Sequence, residues 1–186
     1  MSTTTPYMTE EELLRMPDDG YRYELVEGEL RRMAPTGYDH GRCTGNLHAD
    51  LASHVRKNHL GDVLAAETGF VIARKPDGRV TVRAADIAFV AKGRIPADAD
   101  TSKYLELVPD LVVETLSPSD TALEVEEKIA LWLATGVRLA ITMNPALRSV
   151  TVYRSRHEIS KLTDQDELDL SDVIPGFRCR VSDIFD

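Results

Sequence analysis

The chain has 186 residues, of which 42% are hydrophobic and 28% are charged, and its 22 basic against 31 acidic side chains leave a net charge of −9. This composition is typical of one compact globular domain, which we predict over residues 1–186, with an N-terminal helical segment in 1–20 and a core from about residue 21. The acidic balance argues against a non-specific nucleic-acid coat and against a polybasic membrane binder. No apolar run approaches the roughly 20 residues of a membrane span, and the first residues lack a signal-peptide pattern.

The two cysteines, Cys43 and Cys179, lie far apart in the sequence and form no C-x-x-C pair. This spacing favours neither a disulfide framework nor a cysteine-ligated metal. We therefore expect two reduced, buried thiols and a cytoplasmic protein.

Charge is distributed unevenly along the chain. Residues 31–103 hold 12 basic and 8 acidic side chains, a balance of +4, whereas the rest of the chain has a balance of −13. For any one of these side chains, a solvated mixed surface is the ordinary interpretation. The sequence does not exclude a local basic groove, because it does not show which of these charges share a surface.

The N-terminal part of the chain predicts a short helix followed by a hairpin. Thr9 and Glu12 stand at capping-box spacing, so a helix is expected to begin there and to end near residue 16. Residues 21–33 have the composition of two strands that flank a turn at Glu27-Gly28.

The middle of the chain predicts a helix and two long strands. Residues 40–58 are expected to be helical, because apolar residues recur at every fourth position, at Leu47, Leu51 and Val55. Residues 63–73 and 80–92 are each predicted to form a strand, and the turn at 76–78 separates them.

The last third predicts a buried strand, a helix and two further strands. Residues 111–116 are almost continuously apolar, which indicates a central strand covered on both faces. Thr121 and Glu124 stand at capping-box spacing for a helix that should run to Thr135 and stop at Gly136. Strands are expected over 137–143 and 149–154. The order of elements predicts a mixed α/β (α+β) domain built around one sheet.

Common catalytic signatures are missing, since the sequence has no G-x-x-x-x-G-K-[ST], G-x-G-x-x-G, H-E-x-x-H or G-x-S-x-G motif. Acidic residues in apolar segments are the remaining lead. Glu114 interrupts the run Leu-Val-Val-Glu-Thr-Leu, and burying an unpaired charge costs several kcal/mol. Either the strand ends there and Glu114 serves the following turn, or a cation compensates the charge.

Asp86 lies in a second apolar segment, residues 84–90. By strand alternation it shares a face with Ala88 and Val90. Two carboxylates on adjacent buried strands repel each other strongly, and a divalent cation that prefers oxygen ligands, such as Mg²⁺, would relieve that repulsion. The pairing of Asp86 with Glu114 is therefore the strongest indication of a metal site.

Lys128 lies on the helix that follows Glu114. The apolar stripe of this helix holds Val125, Ile129 and Trp132, and Lys128 stands at its margin, about 100° from Ile129. From there it could lean over the end of the strand that carries Glu114. Spacing alone favours the alternative, an exposed i,i+4 pair with Glu124.

Five segments together carry a recognisable pattern: Tyr23–Leu30, His40, Ala85–Val90, Pro109–Asp120, and Lys128 with Gly136-Val137. In this order they resemble the Uma-type restriction endonucleases, a bacterial family also called domain of unknown function 820, within the PD-(D/E)XK nuclease superfamily. The resemblance runs from about Tyr21 to Phe185 and covers nearly the whole chain. Its most specific piece is Leu-Val-Val-Glu-Thr-Leu-Ser-Pro-Ser.

The resemblance implies a restriction-endonuclease-like core, with a mixed central sheet flanked by helices, and it suggests two metal ligands. Asp86 corresponds to the superfamily's metal-binding aspartate, although Ala85 replaces the usual preceding proline. Glu114 corresponds to the second acidic ligand. Leu116 occupies the position at which the superfamily commonly has a lysine.

The resemblance also suggests roles for three further residues. Lys128 corresponds to a family lysine on the following helix, and relatives are thought to use such a displaced lysine. Glu24 corresponds to a recurring position that would extend the acidic cluster or position Lys128. His40 corresponds to another recurring position of the family. Two roles stay open for it, a buried structural imidazole and a contact to phosphate.

Three features depart from the family pattern. Trp132 stands where the family usually has tyrosine, and Glu124 stands where it often has aspartate. Residues 138–145 replace a more aromatic and acidic strand. None of these departures changes the expected metal ligands. They mean that the family's substrate preferences do not carry over directly to this chain.

The leading hypothesis is a Mg²⁺- or Mn²⁺-dependent endonuclease that hydrolyses DNA phosphodiester bonds. Asp86 and Glu114 would hold the metal, and Lys128, Glu24 and His40 would complete the catalytic set. DNA is the expected partner, no membrane is involved, and the resemblance makes a homodimer plausible. Two alternatives stay open: a catalytically inactive nuclease-fold protein that binds DNA or acts as a scaffold, and a metal-dependent hydrolase of a small phosphorylated molecule.

Overall fold

The computed structural model of the protein describes residues 7–33 and 35–186, and the first six residues of the predicted N-terminal segment lie outside this part. The described helices are α1 (Glu10–Leu14), α2 (Tyr38–Asn58), α3 (Ala122–Thr135) and α4 (Val181–Phe185). The described strands are β1 (Arg22–Val26), β2 (Glu29–Met33), β3 (Gly61–Ala65), β4 (Gly69–Arg74), β5 (Val80–Ala84), β6 (Ile87–Ala91), β7 (Leu111–Thr115), β8 (Leu139–Asn144), β9 (Ser149–Tyr153), β10 (Ile159–Thr163), β11 (Glu167–Asp169) and β12 (Arg178–Arg180).

The strands form a central mixed sheet and two smaller sheets. The central sheet has six strands in the order β10-β9-β8-β7-β6-β3, in which β7 and β8 are parallel and the other neighbours antiparallel. A second sheet has the order β2-β1-β5-β4, and β11 pairs with β12. The predicted mixed α+β architecture, with helices flanking a central mixed sheet, is confirmed. The expectation of only one sheet is wrong.

Two predicted strands are each divided between the two larger sheets. Residues 63–73 split into β3 and β4, and residues 80–92 split into β5 and β6. The chain passes from one sheet to the other at residues 66–68 and again at 85–86. Asp86 therefore lies directly before β6, on the connection between the two sheets, and not inside one continuous strand. The apolar pattern does not show these breaks, because the segments on both sides of each break are rich in apolar residues.

Helix α2 buries one face against the central sheet and leaves glycines on another. The predicted apolar positions are almost fully inaccessible, and they are Leu47, Leu51 and Val55. Gly41 and Gly45 lie within the helix and are exposed, and a Cβ atom added to either would meet no atom of the described residues within 4 Å. Glycine within a helix costs about 1 kcal/mol relative to alanine, so these two positions weaken α2 without relieving a clash.

Strand β7 lies inside the central sheet, and helix α3 packs its apolar side against it. All five residues of β7 are buried, and the two faces of the strand contribute to two different hydrophobic clusters, as predicted. Helix α3 begins at the predicted capping box of Thr121 and Glu124 and ends at Gly136, whose φ of 102° suits glycine. The parallel pairing of β7 with β8 follows from this helical crossover.

The C-terminal segment adds elements that the sequence does not predict. Strands β10, β11 and β12 and helix α4 follow the last predicted strand. Helix α4 packs its apolar residues into the main core, and Arg42 Nη1 on α2 donates a hydrogen bond of 2.7 Å to the carbonyl of Phe185. Cys43 and Cys179 are both free, with Cys43 buried and Cys179 partly buried. No described helix is both long and apolar enough to cross a membrane.

Candidate active site

The candidate site lies where β7 ends beside the break between β5 and β6. In the antiparallel pairing of β6 with β7, Ile87 stands opposite Val113, so the next position in the register sets Asp86 against Glu114. Both carboxylates are almost fully buried, at 7% and 5% exposure. The structure therefore brings the two predicted metal ligands together from segments 28 residues apart in the sequence.

Asp86 is held by groups from three different elements. Its Oδ2 accepts a hydrogen bond of 2.8 Å from the backbone N–H of Thr115, and His40 Nε2 on α2 lies 3.2 Å from the same oxygen. Arg22 Nη1 on β1 lies 3.4 Å from Oδ1. Burial alone would raise the pKa of Asp86, but the hydrogen bond and charge of His40 and the Thr115 N–H bring it below the usual value. Asp86 is therefore ionised at neutral pH.

Glu114 has two donors from α3. Lys128 Nζ donates a hydrogen bond of 2.6 Å to Oε2, and Trp132 Nε1 donates one of 2.8 Å to Oε1. Burial raises the pKa of Glu114 to about 7, the positive charge of Lys128 opposes this rise, and the negative charge of Asp86 adds to it. The alternative of a strand-end glutamate that serves the following turn is therefore wrong.

Lys128 points toward the site, contrary to what spacing alone favoured. Its side chain is 23% exposed and pairs with Glu114, whereas Glu124 accepts the capping hydrogen bonds of Thr121. Burial would lower the pKa of Lys128, but the charges of Glu114 and Glu24 outweigh burial and raise it. Lys128 is therefore an ammonium group at neutral pH.

Glu24 on β1 approaches the site from the second sheet. Its side chain is 1% exposed, accepts a hydrogen bond from Arg83 Nη1 on β5, and accepts another of 2.9 Å from the backbone N–H of Ala84. The negative charge of Glu24 acts on both Lys128 and Glu114. All five predicted site residues therefore belong to one neighbourhood, while their roles stay predictions.

Four residues of this neighbourhood were not predicted as site residues, and they are Arg22, Arg83, Thr115 and Trp132. The contact of Trp132 could have been anticipated, because it stands four residues after Lys128 and i,i+4 side chains meet on one helix face. Arg22 shares a strand face with Glu24, which was also a usable signal. The hydrogen bond from the backbone N–H of Thr115 could not be predicted from the sequence, because every residue except proline has this group.

The donor set fits a magnesium or manganese ion that keeps part of its water shell. Among residues 7–33 and 35–186, no three His, Cys, Asp or Glu side chains are arranged as a metal cage. Asp86 and Glu114 instead supply two carboxylates, and Mg²⁺ commonly binds through one or two carboxylates and retains several waters.

A family model matches the chain over residues 10–182, and the family is Uma2, described as "Putative restriction endonuclease". The chain belongs to the Uma2 family. The matched range includes every residue of the candidate site, and the resemblance predicted from the sequence is confirmed. The Uma2 description names a class of nuclease, which agrees with a site of buried carboxylates and a lysine.

A solved structure shares the fold of this Uma2 protein. It is the crystal structure from Anabaena variabilis of "a putative nuclease belonging to DUF820", with a TM-score of 0.77 and 20% sequence identity. The alignment covers 96% of this chain and 97% of that chain. At this identity the likeness shows the fold alone. No curated protein matches the chain.

Proposed function

We propose that this protein is a divalent-metal-dependent endonuclease that hydrolyses phosphodiester bonds in DNA. The observation that carries the proposal is the juxtaposition of Asp86 and Glu114, two buried carboxylates, with Lys128 bonded to Glu114. The pKa values of the two carboxylates are displaced in opposite directions, and such displaced groups cluster at functional sites, which supports a role beyond stability. Membership of the Uma2 family supports the same reaction class.

In this proposal Asp86 and Glu114 hold Mg²⁺ or Mn²⁺. A bound ion supplies positive charge that lowers the pKa of water and stabilises charge on the phosphate. The two carboxylates differ in what they need for this task. Asp86 is already ionised, whereas Glu114, with a pKa of about 7, must release a proton to become a ligand.

Three cationic or polar side chains have separate tasks. Lys128 Nζ donates a hydrogen bond to Glu114 Oε2 and so lies beside the proposed metal ligand. From there it would orient a water molecule or stabilise negative charge on the phosphate. Arg22 lies 3.4 Å from Asp86, is 26% exposed at its side chain, and would bind a phosphate oxygen from solvent. His40 keeps Asp86 in place through its Nε2 atom.

The proposal is tested with supercoiled plasmid DNA and Mn²⁺ or Mg²⁺. We expect cleavage by the natural protein, no cleavage in EDTA, and a loss of about 100-fold or more in Asp86→Asn and Glu114→Gln. Asp50→Asn, which changes an exposed carboxylate on α2, is the matched control and should retain the activity. Equal cleavage by Asp86→Asn and the natural protein would overturn the assignment.

A second function is a DNA-binding or scaffold protein that has the nuclease fold and no turnover. Two observations favour it: Leu116 stands where the superfamily commonly has a lysine, and both oxygens of Glu114 already accept hydrogen bonds from the protein. Binding of DNA that is indifferent to Mn²⁺, together with intact plasmid after long incubation, would favour this function over the first.

A further inference from the structure

A small cleft opens beside Asp86, between helix α2 and the end of β3. Its volume is about 270 Å³. Helix α2 forms one wall with Gly41, Thr44, Gly45 and His48, and Asp86 lies on the other side with Arg22. The cleft therefore reaches the candidate active site from solvent along the surface of α2.

The two glycines of the wall relieve no clash with the described residues. Gly41 and Gly45 stand four residues apart, so they share one helix face, and both are exposed. A Cβ atom at either position would meet no atom of the described residues within 4 Å, and neither residue has the positive φ that would require glycine. Glycine weakens a helix, so the open space in front of these residues needs an explanation outside the folded chain. Close approach of a ligand to the helix backbone supplies one.

Polar groups border the same cleft. His48 lines it, and its shielded Nε2 has no hydrogen-bond partner in the part of the chain that the structure describes. Thr44 Oγ1 is bonded to Thr115 Oγ1 at 2.7 Å, which ties the glycine-bearing turn of α2 to the end of β7. Arg22 is partly exposed at the opposite wall. The cleft thus has a glycine-lined wall on α2 and a partly exposed cationic side chain, Arg22, on its other side.

We propose that this cleft binds the sugar–phosphate backbone of the nucleic-acid strand, immediately beside the bond that is cleaved. Gly41 and Gly45 let the strand lie against α2, and Arg22 donates hydrogen bonds to its phosphate oxygens. Such contacts position nucleic acid without reading its sequence. The inference rests on the proposed nuclease function and adds the path of the substrate across the site.

The test fills the cleft by a substitution at a residue outside the proposed catalytic set. Gly45→Leu places a side chain in the space proposed for the strand, and Ser53→Leu adds the same side chain at an exposed position of α2 outside the cleft. Binding of a fluorescein-labelled 20-nucleotide DNA, single-stranded and duplex, is measured by anisotropy with Mn²⁺ in a Glu114→Gln background, which prevents turnover. We expect Gly45→Leu to weaken binding by about 10-fold or more and Ser53→Leu to stay within about twofold.

A second pair of variants separates binding from folding. Gly45→Ala and Ser53→Ala should both raise the melting temperature by about 1–4 °C, because alanine favours the helix. Only Gly45→Ala should also raise the KM for plasmid cleavage. This combination of a more stable protein with weaker substrate binding is not expected from a glycine that only shapes the fold.

The outcomes distinguish this inference from the proposed function. If the natural protein cleaves DNA and Gly45→Leu does so with an unchanged KM and affinity, the inference is overturned and the nuclease function stands. If no cleavage is seen but Gly45→Leu still weakens DNA binding, the cleft assignment stands and the catalytic proposal fails. If Gly45→Leu blocks only the hydrolysis of bis(p-nitrophenyl) phosphate and DNA affinity is unchanged, the cleft is a small-molecule pocket and the inference is wrong.

Discussion

Asp86 and Glu114 carry the same chemical group at adjacent positions, yet their surroundings move their pKa values in opposite directions. Asp86 receives hydrogen bonds from a backbone N–H and an imidazole, which keep its pKa low despite burial. Glu114 is buried more deeply in β7, and its pKa rises to about 7 although Lys128 opposes the rise. Such divergence between neighbouring carboxylates is typical of sites where the two groups have different tasks.

At the residue scale, Arg83 should be essential for stability through Glu24. Glu24 is 1% exposed, and Arg83 is its main cationic partner. Arg83→Ala would leave a buried carboxylate without that partner, so we expect the free energy of unfolding to fall by about 3 kcal/mol. Urea denaturation measures this change.

A second arginine on the same sheet provides the control. Arg31 pairs with Glu29 on β2 at 3.3 Å, and both side chains are more than half exposed. Because exposed ion pairs contribute little, Arg31→Ala should change the free energy of unfolding by less than about 1 kcal/mol. If Arg83→Ala were as mild as Arg31→Ala, Glu24 would not depend on its arginine.

At the element scale, helix α3 shows both what the sequence predicts and where it fails. The capping box and the glycine stop are local signals, and both are confirmed. The direction of Lys128 is not local, because it depends on the buried carboxylate that β7 presents to the helix. Spacing favours Glu124 as the partner of Lys128, but the carboxylate of Glu124 accepts the capping hydrogen bond of Thr121 instead.

The capping box of α3 can be tested directly. Thr121 Oγ1 accepts a hydrogen bond of 3.2 Å from the backbone N–H of Glu124. Thr121→Ala removes this acceptor and should lower the free energy of unfolding by about 1 kcal/mol, whereas Thr121→Ser retains the oxygen and should change it little. Chemical denaturation of the three proteins gives the comparison, and equal losses in both variants would mean that the cap oxygen is unimportant.

The strands show a different limit of sequence reasoning. Apolar periodicity located residues 63–73 and 80–92 as strands, but the divisions at 66–68 and 85–86 were not predicted. These divisions depend on which strands pair across space, since Gly69 meets Ala84 in one sheet and Ala65 meets Ile87 in the other. Pairing of this kind is long-range information that a local pattern does not contain.

At the scale of the whole molecule, the site is assembled where the two larger sheets meet. β1 and β5 bring Glu24 and Arg83 from one sheet, and β7 brings Glu114 from the other. Asp86 lies on the connection between the two sheets. The acidic members could be predicted because a carboxylate in an apolar segment is conspicuous. Among their basic partners, Lys128 was predicted through the family resemblance, whereas Arg22 and Arg83 were not, because arginines near apolar segments are ordinary surface residues.

Metal binding should stabilise the whole fold, because an ion that binds only the native state shifts the unfolding equilibrium. At Mn²⁺ concentrations near 100 times the dissociation constant, the expected gain is about 2.7 kcal/mol, or about 5–10 °C in melting temperature. EDTA should abolish this shift. The shift should also be absent in Asp86→Asn and retained in Asp62→Asn, which changes an exposed carboxylate on β3.

The sign of the pH dependence follows from Glu114. Its pKa of about 7 means that below neutral pH a proton must leave before the carboxylate can bind Mn²⁺. The stabilisation by Mn²⁺ should therefore be larger at pH 8 than at pH 5.5, and differential scanning calorimetry at the two pH values measures it. An equal shift at both pH values, or an undiminished shift in Asp86→Asn, would place the ion elsewhere on the molecule, because only a site that includes Glu114 competes with this proton.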